Sequence, residues 1–177
     1  MKKINFFYIL FLLIFPNVIY ASKIGVVNID ILIEKNNSYI EVVKKIEKSQ
    51  EKYLKDFNKI EIKLQKMLDE LESSKLILNE EETNKSIFEY NKELEAFTEL
   101  IDKFNNHYQN QLLNIKNQIL REIIKLLEKY AIDQNIELIL DSTSYLIASN
   151  ALDITDVINT ELNKLKIDLN FEEFANN

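Results

Sequence analysis

The sequence has no cysteine and no tryptophan, and only one glycine, one proline and one histidine in 177 residues. Without cysteine there is no thiol nucleophile and no thiolate metal ligand. An oxidising compartment can therefore add no disulfide to its stability. A single glycine, Gly25, excludes a glycine-rich loop that cradles phosphate. The lone His107 has no second histidine with which to form a metal site or a relay. Scarcity of Gly and Pro removes the usual helix breakers, which favours long helices over a loop-rich catalytic domain. Arginine is almost missing too. Arg121 is the only one, the formal charge is −7, and no basic run occurs. This balance argues against nucleic acid as a main partner. No catalytic residue, cofactor or metal is expected, and the chain does not read as an enzyme.

What is present begins with an export signal. Lys2 and Lys3 form a positive start, Ile4 to Phe15 an apolar core, and Pro16 breaks it before the small residues Ala21 and Ser22. This is the pattern of a secretory signal peptide, residues 1–21, cleaved after Ala21. The apolar run is short of the roughly 20 residues that a membrane span needs. No cysteine follows it to accept a lipid. Removal of Lys2 and Lys3 would take the net charge from −7 to −9.

Two strand-like runs stand far apart. The first is "SKIGVVNI", residues 22–29; the second is "IELIL", residues 136–140, which the turn formers Asp141 to Ser144 connect to "YLIAS" in an expected β-hairpin. Between them lies helix. Ser38 followed by Glu41 reads as a capping box. Apolar positions then fall at Val43, Ile46, Tyr53, Phe57, Ile60, Leu64, Met67 and Leu71, in steps of three and four once Gln50 is included. Asn79 with Glu82 is a second capping box, and Glu80 to Glu82 suit the positive end of a new helix. A second seam runs Tyr90, Leu94, Phe97, Ile101, Phe104, Tyr108, Leu112, Ile115, Ile119, Ile123, Leu126 and Tyr130. Leu113, Leu120, Ile124 and Leu127 double it in the last third, which implies burial on two sides.

The expected fold is mostly α with a small β body (α+β): a long antiparallel coiled-coil hairpin protruding from a short-stranded, oligomeric sheet or barrel. Residues 22–37 and 135–167 form the body, and residues 38–134 the arm, with its turn near 79. Residues 168–177 read as a frayed tail. Asp153 should cap a closing helix that buries Ile154, Val157, Ile158, Leu162 and Leu165. A body of about fifty residues rarely stabilises itself, and its strands are apolar on both faces. Ile24, Val26, Ile29, Leu138 and Leu140 are therefore candidate interface residues of an oligomer. At the tip, Leu76, Ile77 and Leu78 are consecutive and cannot all enter one seam, and Ile87 and Phe88 lie off it. Leu76, Ile77, Ile87 and Phe88 are candidate contacts for another protein. The simpler alternative is that they pack on each other to close the hairpin. His107 flanks the seam, and Asp141, Ser142 and Ser144 read as turn residues, not as a nucleophilic site.

Together "KIGVVN", the helical arms, "ELILD" with its hairpin and the "DIT" start of the last helix resemble the Skp (OmpH-like) family of periplasmic chaperones. The resemblance runs from the mature start to about Leu165. It implies a homotrimer in which strands from three chains build a barrel-like body and three arms enclose a cavity. It further implies an ATP-independent holdase that keeps unfolded outer-membrane β-barrel proteins from aggregating before membrane insertion. One feature departs from the best-known members, whose arm tips are basic: here Glu80, Glu81 and Glu82 occupy that place. The acidic chain argues against contact with lipopolysaccharide or anionic membrane. The rival reading is a secreted coiled-coil scaffold or tether of the cell envelope.

Overall fold

The computed structural model describes residues 22–74 and 79–175. Strand β1 spans Ile24–Val27 and is followed at once by a short helix α1, Ile29–Glu34. Asn28 separates them because its side-chain oxygen accepts the Ile31 amide, an N-cap that turns the chain from strand to helix. Helix α2, Asn37–Ser74, and helix α3, Glu80–Gln134, form the arm. Strand β2, Leu138–Asp141, returns to the body, and helix α4, Thr155–Leu162, closes it.

The two arm helices run antiparallel. Near the base Ser49 Oγ lies 2.8 Å from Tyr108 Oη, and further out Lys63 meets Glu93 at 2.7 Å, so rising numbers in α2 face falling numbers in α3. Between these levels Phe57 meets Phe97 and Phe104 edge to face and Tyr53 lies tilted against Phe57 and Phe104, with centroids 4.9 to 6.5 Å apart. The expected seams are the buried faces. Phe57, Leu64 and Leu71 of α2 and Phe97, Phe104, Tyr108, Ile115, Ile119 and Ile123 of α3 are all buried. At 38 residues α2 is about 57 Å long. At the base the α2 seam shifts: Val42 and Ser49 are buried where Val43 and Gln50 were expected, and those two are half-buried. There α2 joins α1 as well as α3, and Val42, Leu32, Ile33 and Ile119 share one apolar cluster.

Caps explain where the helices start. Asn79 and Glu82 form the expected capping box on α3, the Asn79 side chain accepting the Glu82 amide and Glu82 accepting the Asn79 amide. The α2 start differs from expectation. Asn36, not Ser38, receives the Tyr39 amide on its side-chain oxygen at 3.0 Å, and Ser38 lies inside the first turn. Asn36 comes two residues after the end of α1, so it caps the next helix as soon as the chain can turn. Helix α3 ends at Asn135, which adopts a left-handed conformation (φ 51°) that lets its own and the next amide reach back to carbonyls of the last turn.

In the body β1 and β2 pair in parallel, Ile24 beside Leu138 through Val27 beside Asp141, and the whole arm is the crossover between them. The expected hairpin does not form. After β2, Asp141 caps a single 3₁₀ turn at Ser142–Ser144, and the following Leu146 and Ile147 are 101 % and 92 % exposed, with no strand among them. The chain instead crosses to the outer side of β1, where Asp153 bridges Val26, so residues 142–152 do not turn back along β2. The closing helix is placed by Asp153, which accepts the Thr155 amide at 2.8 Å, and by Thr155 Oγ1, which accepts the Asn28 amide. Ile154, Ile158 and Leu162 are buried as expected, whereas Val157 and Leu165 stay exposed. The tail also departs from expectation. Ile167, Leu169, Phe171 and Phe174 pack on the arm instead of fraying, because their apolar side chains meet the aromatic face of the hairpin.

Candidate functional site

The candidate interface residues divide into two kinds. Val26 is enclosed by its own chain; its carbonyl accepts the Ile154 amide at 2.9 Å, and Asp153 bridges the outer side of β1. It is a core residue of the single chain. Ile29 and Leu140 are half-buried, while Ile24 and Leu138, side by side in register, keep exposed surface. Among the described residues the outer edge of β2 has no partner, and Leu146 and Ile147, which follow β2 in the chain, are exposed. An uncovered strand edge is a template for pairing, and exposed aliphatic side chains favour a covered contact. Sequence reasoning placed Leu146 and Ile147 in a strand but did not single them out. Their β-branched and aliphatic character next to a turn was the available signal.

At the arm tip Ile87 and Phe88 are exposed, Phe88 by 69 %. Leu76 and Ile77 lie outside the described residues, as does the export signal at 1–21. The acidic residues Glu80, Glu81 and Glu82 occupy the first turn of α3, where the helix dipole favours them. Along the arm, Lys59 holds the Asp56 carboxyl below its ordinary range by a hydrogen bond first and its charge second, and Lys103 acts likewise on Glu99. These pairs are fully exposed, which leaves them a solvated outer face.

Two residues weighed for chemistry have structural duties. Asp141 joins three elements: its carboxylate accepts the Ile29 amide at 3.1 Å, the Thr143 amide at 3.3 Å and the Thr143 hydroxyl. Partial burial pushes this carboxyl up, but the Thr143 hydroxyl and the Ile29, Thr143 and Ser142 amides outweigh it, and the net shift is downward. His107 flanks the seam and donates through Nε2 to the Glu172 carbonyl of the tail, 2.8 Å away. Among the described residues no three His, Asp or Glu side chains gather as a metal site would require, and no helix is long and apolar enough to cross a membrane.

The tail completes a surface that sequence reasoning missed. Phe174 is buried against Tyr53, Phe104 and His107, with ring centroids at 5.3, 5.5 and 5.6 Å. Phe171 stacks on Tyr108. The signal was the strict alternation of Leu165, Ile167, Leu169 and Phe171 with polar residues.

The model of the family described as "Outer membrane protein (OmpH-like)" matches residues 23–162, from the first strand through α4. This chain belongs to the OmpH-like family. Among solved structures, the fold of this OmpH-like protein is similar to that of a candidate outer membrane chaperone (OmpH-like) from Caulobacter crescentus. The TM-score is 0.69 at 12 % identity, over 86 % of this chain and 90 % of that one. No curated protein matches it. The match in fold covers the OmpH-like body and its protruding arm, and the family match stops where α4 ends, before the tail.

Proposed function

We propose that this OmpH-like protein is an ATP-independent periplasmic holdase, exported by cleavage after Ala21, that binds unfolded outer-membrane β-barrel proteins and keeps them from aggregating. The observation that carries this reading is a contrast within one chain. The arm is finished: its seams are buried from Val42 to Leu71 and from Phe97 to Ile123. The body is not, since β2 has an open edge and Leu138, Leu146 and Ile147 are exposed. Completing the body requires further copies, and copies joined at the body hold their arms around a common axis. A homotrimer is the assembly that the family resemblance implies. The fold likeness to the Caulobacter chaperone candidate supports the same reading.

The net negative charge of the chain opposes attraction of acidic polypeptides within a Debye length of about 8 Å. Holding then rests on weak apolar contacts, among them Ile87 and Phe88, with Leu76 and Ile77, which come shortly before Asn79 in the sequence. Contact with lipopolysaccharide or anionic lipid is disfavoured by the net negative charge of the chain. The test is dilution of a urea-unfolded β-barrel protein into buffer with and without the mature chain, followed by light scattering. A holdase suppresses the scattering without nucleotide. Unchanged scattering would favour an envelope scaffold or tether instead.

A further inference from the structure

The tail after α4 is seated in a built groove. From Leu165 to Phe171 it alternates apolar and polar residues, and Ile167, Leu169 and Phe171 are the half-buried ones. Beside Leu165 to Asp168 lie Gln118, Arg121 and Glu122 of α3, and beside Phe171 to Phe174 lie His107, Tyr108 and Phe104. The segment therefore runs along α3 from the body toward the tip. Fifteen helical residues cover about 22 Å, a span that ten extended residues reach easily.

The way the groove holds this segment is tolerant of sequence. Its two polar handles take main-chain atoms: His107 Nε2 donates to the Glu172 carbonyl, and the Tyr53 hydroxyl donates to the Phe174 carbonyl. The remaining contacts are one aromatic ring buried among Tyr53, Phe104 and His107 and one stacked on Tyr108. Any extended chain with an aromatic residue at the right place meets those requirements. Strands of membrane β-barrels carry the same pattern, apolar and polar in alternation with aromatic residues near their ends.

We propose that the groove lined by Tyr53, Phe104, His107 and Tyr108 is a binding site for extended, alternately apolar segments bearing aromatic residues, and that residues 165–174 are its resident competitor. The proposal rests on the holdase reading for the identity of the external ligand. A tether this short holds the tail at a millimolar effective concentration. A client segment must displace it, so the tail weakens capture and hastens release without nucleotide. For a free tail peptide with a Kd between about 0.1 and 1 mM, that competition lowers client affinity on the order of 2–10-fold.

The test uses the full mature chain and the double variant Phe171→Ser/Phe174→Ser. The probe is a fluorescently labelled, urea-unfolded eight-stranded β-barrel protein, with a synthetic peptide of residues 164–175 as competitor. The expected result is client binding 2–10-fold tighter in the variant, unchanged helix content, and loss of that gain as the peptide is added. Equal or weaker client binding by the variant, or a peptide that does not compete, overturns the inference while the parent's binding leaves the holdase reading standing. Loss of arm helix in the variant also overturns it, because the tail is then a staple of the arm. A client bound by neither protein overturns both readings.

Discussion

The only hydrogen bond between side chains buried in the described arm seam joins Ser49 Oγ and Tyr108 Oη at 2.8 Å. Its removal has an asymmetric outcome that can be worked out in advance. Ser49→Ala leaves the Tyr108 hydroxyl buried among Phe104 and its neighbours without another partner, and an unsatisfied buried donor costs about 1–3 kcal/mol. Tyr108→Phe leaves Ser49 instead, and a helical serine can turn back to the carbonyl four residues earlier. That variant should cost less, about 0.5–1 kcal/mol. The double variant presents two apolar surfaces of nearly unchanged shape and should come within about 0.5 kcal/mol of the parent. The coupling across the cycle is then favourable by about 1–4 kcal/mol. Urea denaturation at one fixed protomer concentration measures it, since assembly makes apparent stability concentration-dependent. Additive single effects would refute the reasoning and show that the pair is solvated in solution.

Replacing both Leu146 and Ile147 by Asp should change the stability of an isolated chain by no more than about 0.5 kcal/mol, as both are exposed, yet it should dissociate the assembly in sedimentation; an unchanged mass would clear these residues. Asp141 is held below its ordinary pKa when folded, so the unfolded chain binds the proton more readily. Its contribution is complete above the ordinary carboxylate range and is lost as pH falls through the depressed folded value. Thermal melts between pH 7 and 3 should therefore show a steeper acid loss in the parent than in Asp141→Asn, and parallel curves would contradict this. Gly25 has a negative-φ backbone, and a Cβ there would sit 3.4 to 3.6 Å from Ile154, Ile136 and Ile139, ordinary contact distances. Gly25→Ala should raise stability by about 0.4–1 kcal/mol through the unfolded chain's lost freedom, and a lower melting temperature would mean the strand pair cannot take a methyl group.

Periodicity and capping made the arm legible. Steps of three and four marked Phe57, Leu64, Phe97 and Ile115, and Asn79 with Glu82 marked the second helix start, because both signals act within one or two helical turns. The body was legible in its strands but not in its pairing. The run at Tyr145 to Ser149 has strand character, but the return of Asp153 to the outer side of β1 carries the chain across the sheet instead of back along β2. The α2 cap moved from Ser38 to Asn36 because two adjacent signals compete and the end of α1 decides between them. The tail was misread for a related reason. Its alternation from Leu165 to Phe171 was plain, but its partner, the outer aromatic face of the arm, becomes a surface only after the hairpin has folded. Leu76 and Ile77 remain a proposal from their place in the sequence alone.

The central claim is that copies joined at the body enclose an unfolded client. The most direct measurement is the mass of the mature chain by native mass spectrometry, before and after adding a urea-unfolded β-barrel protein without nucleotide. The account predicts three copies alone and three copies with one client in a soluble complex. A monomer in both samples, with the client lost to aggregate, would contradict it.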